Sequence, residues 1–160
     1  RLGNHSHNTL TINNRTHQYE GMVPMTKVYD KKRYKGADFD LSSLFSDTES
    51  VTRSIYIDKN DKVTCIDRIK NHNIECDIRW NMVTYAKAEI INNHTILLQQ
   101  NGKKVILRLT APTAAKAYIM DNNSKNWYDV KNKGVRVGFT TTMAPNSKST
   151  IKVELIPQKK

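Results

Sequence analysis

Apolar residues along this chain recur mainly at every second position. That period places alternate side chains on opposite faces of an extended strand. Residues 51–57, Val-Thr-Arg-Ser-Ile-Tyr-Ile, alternate cleanly. The runs 9–12, 22–29, 63–69, 74–85, 95–99, 104–109, 115–120, 135–143 and 149–156 are likewise rich in Val, Ile, Thr and Tyr. Pro24 within the second run predicts an edge or a bulge there. Polar breakers separate the runs at 58–61, 92–93, 121–124 and 144–147. Asn101-Gly102, between two such runs, is the strongest hairpin signal.

No stretch longer than about ten residues keeps a helical period. Residues 40–45 suit one short helical turn. Many short strands at regular spacing predict an all-β fold, an antiparallel two-layer β-sandwich. There is no internal repeat and no flexible linker, so 1–160 reads as a single domain.

With 160 residues the chain is long enough for a real core, and 38% hydrophobic residues suit a globular protein. No apolar run approaches the ~20 residues that cross a bilayer. The start at Arg1 suggests a domain cut from a longer parent. Charge changes the picture most. Against 15 acidic residues stand 26 Lys and Arg, a formal net charge of +11. Such a field attracts polyanions: nucleic acid, anionic lipid or acidic polysaccharide. No nucleic-acid motif and no dense basic block with interleaved aromatics is present. The expectation is an acidic polysaccharide partner, with neither nucleic acid nor membrane. Lys31, Lys32 and Arg33, with Lys35 around Tyr34, form a basic loop at 30–36 suited to an anionic ligand.

Cys65 and Cys76 lack the paired spacing of a zinc ribbon. If the turn between their strands centres on Lys70-Asn71, they fall opposite each other. A cross-strand disulfide and two separate buried thiols both fit.

His5 and His7 are spaced i, i+2. On an extended segment both imidazoles share a face, where they can hold a metal or divide into one ligand and one acid–base group. An oxygen donor would be the natural third ligand. Asp38 and Asp40 repeat the i, i+2 spacing, although Asp40 also suits capping of the helical turn.

The segment from Arg1 through His5-Ser6-His7-Asn8-Thr9-Leu10-Thr11-Ile12, continuing to Gln18, resembles the opening of the C-terminal β-sheet domain of the heparinase II/III-like polysaccharide lyases. Further stretches match in order: Ala37 to Phe45, Val51-Thr52-Arg53, Val63 to Arg68, Ile78-Arg79-Trp80 and Gly102-Lys103-Lys104. The His-Asn-Thr-Leu element is the most specific. The resemblance implies a parent with an N-terminal α/α toroid that holds most of the catalytic groups. It implies β-elimination on a uronic-acid-containing polysaccharide of the heparin, heparan sulfate or alginate kind. It further implies a cleft histidine, His5, and a site for Zn2+ or another divalent cation at His7 and Asp40. A periplasmic or secreted location follows from such substrates. Two positions depart from the family. Asn81, Met82 and Val83 follow Trp80 where a third histidine ligand is usual, and Phe45 replaces a tyrosine. The alternative is a non-catalytic carbohydrate-binding or structural module of an extracellular protein.

Trp80 reads as core, and Trp127 and Tyr128 as exposed. His17, His72 and His94 read as surface residues. Asn4, Asn14, Asn93 and Asn122 open glycosylation-like triplets.

Overall fold

The computed structural model describes residues 4–18, 20–122 and 134–158. Trp127 and Tyr128 lie outside them. Twelve strands follow a 3₁₀ turn at Asn4–Ser6: β1 Leu10–Ile12, β2 Met25–Lys31, β3 Tyr34–Asp40, β4 Thr48–Asp58, β5 Val63–Asn71, β6 Cys76–Thr84, β7 Lys87–Asn92, β8 Thr95–Gln100, β9 Lys103–Ala111, β10 Lys116–Asp121, β11 Val135–Met143 and β12 Lys148–Pro157. A second 3₁₀ turn spans Ser42–Leu44. They form two antiparallel sheets, as the alternation predicted. One has four strands in the order β1-β6-β11-β10, and the other has eight in the order β2-β3-β4-β5-β12-β9-β8-β7.

Between the sheets lie Leu10, Val51, Ile78, Trp80, Ile96, Leu107, Val137, Phe139 and Val153, all buried. Trp80 is core, with its ring centroid 6.4 Å from that of Phe139. Asn101 and Gly102 both take positive φ, 50° and 72°, which the tight β8–β9 turn requires.

The structure adds three points to the sequence reading. Residues 30–36 are not a loop: they form a hairpin in which only Lys32 and Arg33 make the turn. The sequence of β3 contains Gly36, Asp38 and Asp40, poor strand formers, but it is paired on both sides. Finally, Cys65 and Cys76 do not face each other. β5 and β6 belong to different sheets, because residues 72–75 cross between layers. Both thiols are free and buried. Burial, followed by the charge of Asp67, pushes the Cys65 thiol up to about 12.

The eight-stranded sheet also holds a buried charge pair. Arg53 on β4 and Asp67 on β5 are register partners and form a two-pronged ion pair, Nε–Oδ1 2.6 Å and Nη2–Oδ2 2.8 Å. Asp67 is fully buried. Burial opposes the Arg53 charge, but the carboxylate outweighs it and holds the guanidinium more firmly protonated than usual. Arg53 Nη1 also donates to the Asn8 carbonyl at 3.1 Å. The pair therefore ties the segment containing His5 and His7 to the eight-stranded sheet.

A candidate anion-binding face on the four-stranded sheet

The His5 segment is a turn, not a strand. Asn4–Ser6 is 3₁₀, closed by the His7 N–H on the Asn4 carbonyl at 3.1 Å. With three residues per turn, positions i and i+2 point about 120° apart. The shared face expected of an extended segment is therefore absent. Asn4 organises the turn from inside. Its Nδ2 donates to Thr11 Oγ1 (3.0 Å) and the Arg15 carbonyl (3.1 Å), and its Oδ1 accepts the His17 N–H (3.1 Å). A side-chain amide so buried is closed to glycosylation in the folded protein.

Asn81, beside Trp80 on β6, anchors the turn from below. Its Nδ2 donates to the His7 carbonyl at 2.7 Å and lies 3.4 Å from that of His5. Its Oδ1 accepts the Tyr118 hydroxyl at 2.6 Å. Gly138, the partner of both Asn81 and Tyr118, leaves room for this crossing. Arg136 Nη1 donates to the His5 carbonyl at 3.0 Å. Asn81 thus holds backbone on both sides of His5 and His7.

These contacts stand His5 over the outer face of the sheet, near Arg79 and Arg136. Burial first, and then those two positive charges, lower its pKa below the usual 6.5. His5 is therefore a neutral imidazole at neutral pH, set among cations. Beside it, one register row crosses all four strands: Thr11, Arg79, Thr140 and Lys116. The row floors an open cleft of about 590 Å³ that Asn13 and Asn14 also line. Arg79 Nη2 donates to Asn14 Oδ1 at 2.8 Å, which aims the guanidinium along the cleft. Hydroxyls, amides and two cations, against the one carboxylate of Asp77, suit a polar, negatively charged ligand.

His17 is half-buried, which corrects its reading as a surface residue. Its Nε2 meets the Leu10 carbonyl at 2.9 Å, and its ring packs edge-on against Phe45 at 4.6 Å. Phe45 thus has a packing role. Burial is again the main cause of the lowered His17 pKa. His72 is exposed, and His94 bonds the Thr113 carbonyl at 2.7 Å.

When a histidine's folded-state pKa lies below its unfolded value, the unfolded chain takes up the proton first as pH falls. The stability that His5 and His17 contribute is therefore full above about pH 6.5 and drains as pH falls through their lower folded values. Thermal melts should shift down from neutral to mildly acidic pH. His17→Gln should flatten that dependence; an unchanged slope would contradict it.

The remaining residues singled out in the sequence lie apart. Asp40 Oδ1 accepts the Ser42 N–H (2.9 Å) and hydroxyl (2.6 Å), and these bonds lower its pKa. Asp40 thus braces the start of the second 3₁₀ turn from the residue before its N-cap, Leu41. Among the described residues, no three His, Cys, Asp or Glu side chains are grouped to hold a metal ion. Lys31, Lys32 and Arg33 are exposed at the tip of the β2–β3 hairpin, at the edge of the other sheet. The sequence reading missed Arg79, Asn81, Tyr118 and Arg136 as parts of this face.

Solved structures resemble the chain over nearly its whole length. A heparinase III with methylated lysines superposes with a TM-score of 0.78 at 13% identity, covering 96% of this chain and 24% of that one. The heparan sulfate lyase HepC from Pedobacter heparinus gives 0.78 at 11% identity, again covering 96% and 24%. The chain shares its fold with these enzymes. It spans about a quarter of their length. No protein-family model and no curated sequence matches it. At such identity the likeness is one of fold, and the role of each residue rests on its own surroundings.

Proposed function

We propose that this β-sandwich is a binding module for acidic polysaccharide and does no chemistry by itself. The observation that carries the reading is the His5, Arg79 and Arg136 group standing beside a cleft floored by threonines and asparagines. The Arg79 guanidinium can pair with carboxylate or sulfate groups, while hydroxyls and amides serve sugar hydroxyls. Arg136, whose nitrogens already hold the Asp121 and His5 carbonyls, adds its charge. The net charge of +11 steers a polyanion toward the module. A periplasmic or secreted location accompanies this reading, because such polymers lie outside the cytoplasm.

The fold likeness favours a second reading, in which the module is the C-terminal part of a larger polysaccharide lyase beside an α/α toroid. His5, kept neutral, would then serve as an acid–base group at the cleft. His7 and Asp40 would then lend ligands to a divalent cation, with further donors completing its coordination. Lys31, Lys32 and Arg33 would extend the contact with substrate.

Calorimetry with a polyuronate and its carboxyl-reduced, neutral form tests the first reading. The chain should bind the acid and not the neutral polymer. Affinity should fall about tenfold or more between low and physiological salt, as for other multi-contact polyanion binding. Equal binding of both polymers contradicts it. Incubation with the polyuronate should yield no unsaturated uronate absorbance, and its appearance would show that the module is an enzyme unaided.

A further inference from the structure

The eight-stranded sheet carries an aromatic group that the site above does not use. Tyr29 on β2 and Tyr56 on β4 are both register partners of Gly36 on β3. Cross-strand partners share a face. Tyr34 lies two residues from Gly36 and so joins them. Its ring centroid is 5.7 Å from that of Tyr29 and 5.8 Å from that of Tyr56, tilted by 50° and 59°. Gly36 has no room for a side chain, since a Cβ would lie 2.1 Å from the Ile55 carbonyl oxygen. The three rings therefore make a trough over bare backbone.

Polar groups fix its shape. The Tyr29 hydroxyl donates to Asp38 Oδ2 at 2.7 Å, and Lys27 Nζ sits over the Tyr29 ring, 4.9 Å from its centroid, so a sugar would meet Tyr29 on its other face or displace the ammonium. Lys31, the β2 register partner of Tyr34, adds a second cation on this face, while the β4 partner of Tyr34, Asp58, is paired with Lys62 at 3.9 Å. Tyr34 is 36% exposed, so part of its ring is open to a ligand.

We propose that this trough is a second carbohydrate subsite, which stacks the sugar rings of an anionic oligosaccharide on Tyr29, Tyr34 and Tyr56 and takes its acid groups on Lys27 and Lys31. The C–H bonds on the flat face of a pyranose are weakly positive and favour the negative face of an aromatic ring. Cations at the rim select an acidic sugar over a neutral one. The subsite shares a ligand class with the four-stranded face but none of its residues.

The test uses the whole chain carrying Arg79→Ala and Arg136→Ala, which disables the other face. The probes are an oligouronate of defined length, its carboxyl-reduced form and single-stranded DNA. Residual binding of the oligouronate should persist. Tyr34→Ala should weaken it about fivefold to tenfold, the loss of one stacked aromatic, and Tyr34→Phe should leave it nearly unchanged. Lys27→Ala should weaken the acid and not the neutral form. In the unmodified chain the Tyr34 ring resonances should move on titration, a readout that needs no variant to fold. Absence of residual binding, indifference to Tyr34→Ala or unmoved resonances would overturn the proposal. DNA bound with the same Tyr34 dependence would also overturn it, by assigning the surface to nucleic acid. If the two arginine substitutions cost nothing while Tyr34→Ala removes binding, the trough stands and the four-stranded face fails.

Discussion

Asp67→Ala should destabilise the protein by about 3–5 kcal/mol. Asp67 is fully buried and accepts both prongs of the Arg53 guanidinium. Removing it leaves a cation between the sheets with no counter-charge, and arginine cannot shed its proton to escape. The Asn8 carbonyl, the other partner of Arg53, is too weak an acceptor to compensate. Denaturant unfolding measures the loss. Replacing both partners, as Arg53→Met with Asp67→Leu, should cost much less, because no buried charge is left behind. That double variant should still loosen the turn at His5 and His7, since the bond to Asn8 goes with the guanidinium. A loss below about 1 kcal/mol for Asp67→Ala would mean that water reaches the pair.

Gly138→Ala should cost roughly 3 kcal/mol or more, the upper end of overpacking effects. The added methyl would lie 1.9 Å from the Trp80 carbonyl oxygen and 3.2 Å from the Tyr118 hydroxyl. The first contact is with backbone, so no rotamer change relieves it. β11 must move away from β6, and the crossing hydrogen bond from Tyr118 to Asn81 goes with it. Asn81 then loses its hold on the His5 and His7 carbonyls, and ligand binding should weaken along with the melting temperature. Tyr118→Phe in the same chain should not rescue stability, because the backbone clash remains. If it does rescue, the clash with the hydroxyl is the one that matters, and the explanation fails.

The fold was legible because burial on one face imposes alternation. β11 falls where its Val-Arg-Val-Gly-Phe pattern puts it, and the turn at Asn101-Gly102 needs no tertiary information. β3 and β7 were not legible. β3 carries two aspartates and a glycine that only pairing on both sides makes into a strand. β7 is an edge strand, mostly exposed, with no buried face to impose a period. The crossing at 72–75 was invisible for a different reason. A polar connection of that length reads the same whether it closes a hairpin or changes layers.

The site was legible only in part. His5 stood out by residue type and spacing, but its partners are set by sheet register. Arg79 and Arg136 are far apart in sequence, and only the β6–β11 pairing brings both to His5. The Arg53–Asp67 pair had a signal in hindsight. A hairpin that pairs Ile57 with Val63 also pairs residue 53 with residue 67. The Asp40 carboxylate shows the opposite lesson: a plausible ligand by spacing is already hydrogen-bonded to its own turn.

The most direct measurement compares polyuronate affinity of the unmodified chain with two double variants of equal net charge. One is Arg79→Gln with Arg136→Gln. The other is Lys103→Gln with Lys104→Gln, at the start of β9 in the eight-stranded sheet. Melting temperatures confirm that each remains folded. Binding at the four-stranded face predicts that the arginine variant loses about tenfold or more, while the lysine variant loses only the small effect of reduced net charge. Equal losses in the two would contradict it, showing that the polymer responds to overall charge and that the His5, Arg79 and Arg136 face is not a binding site.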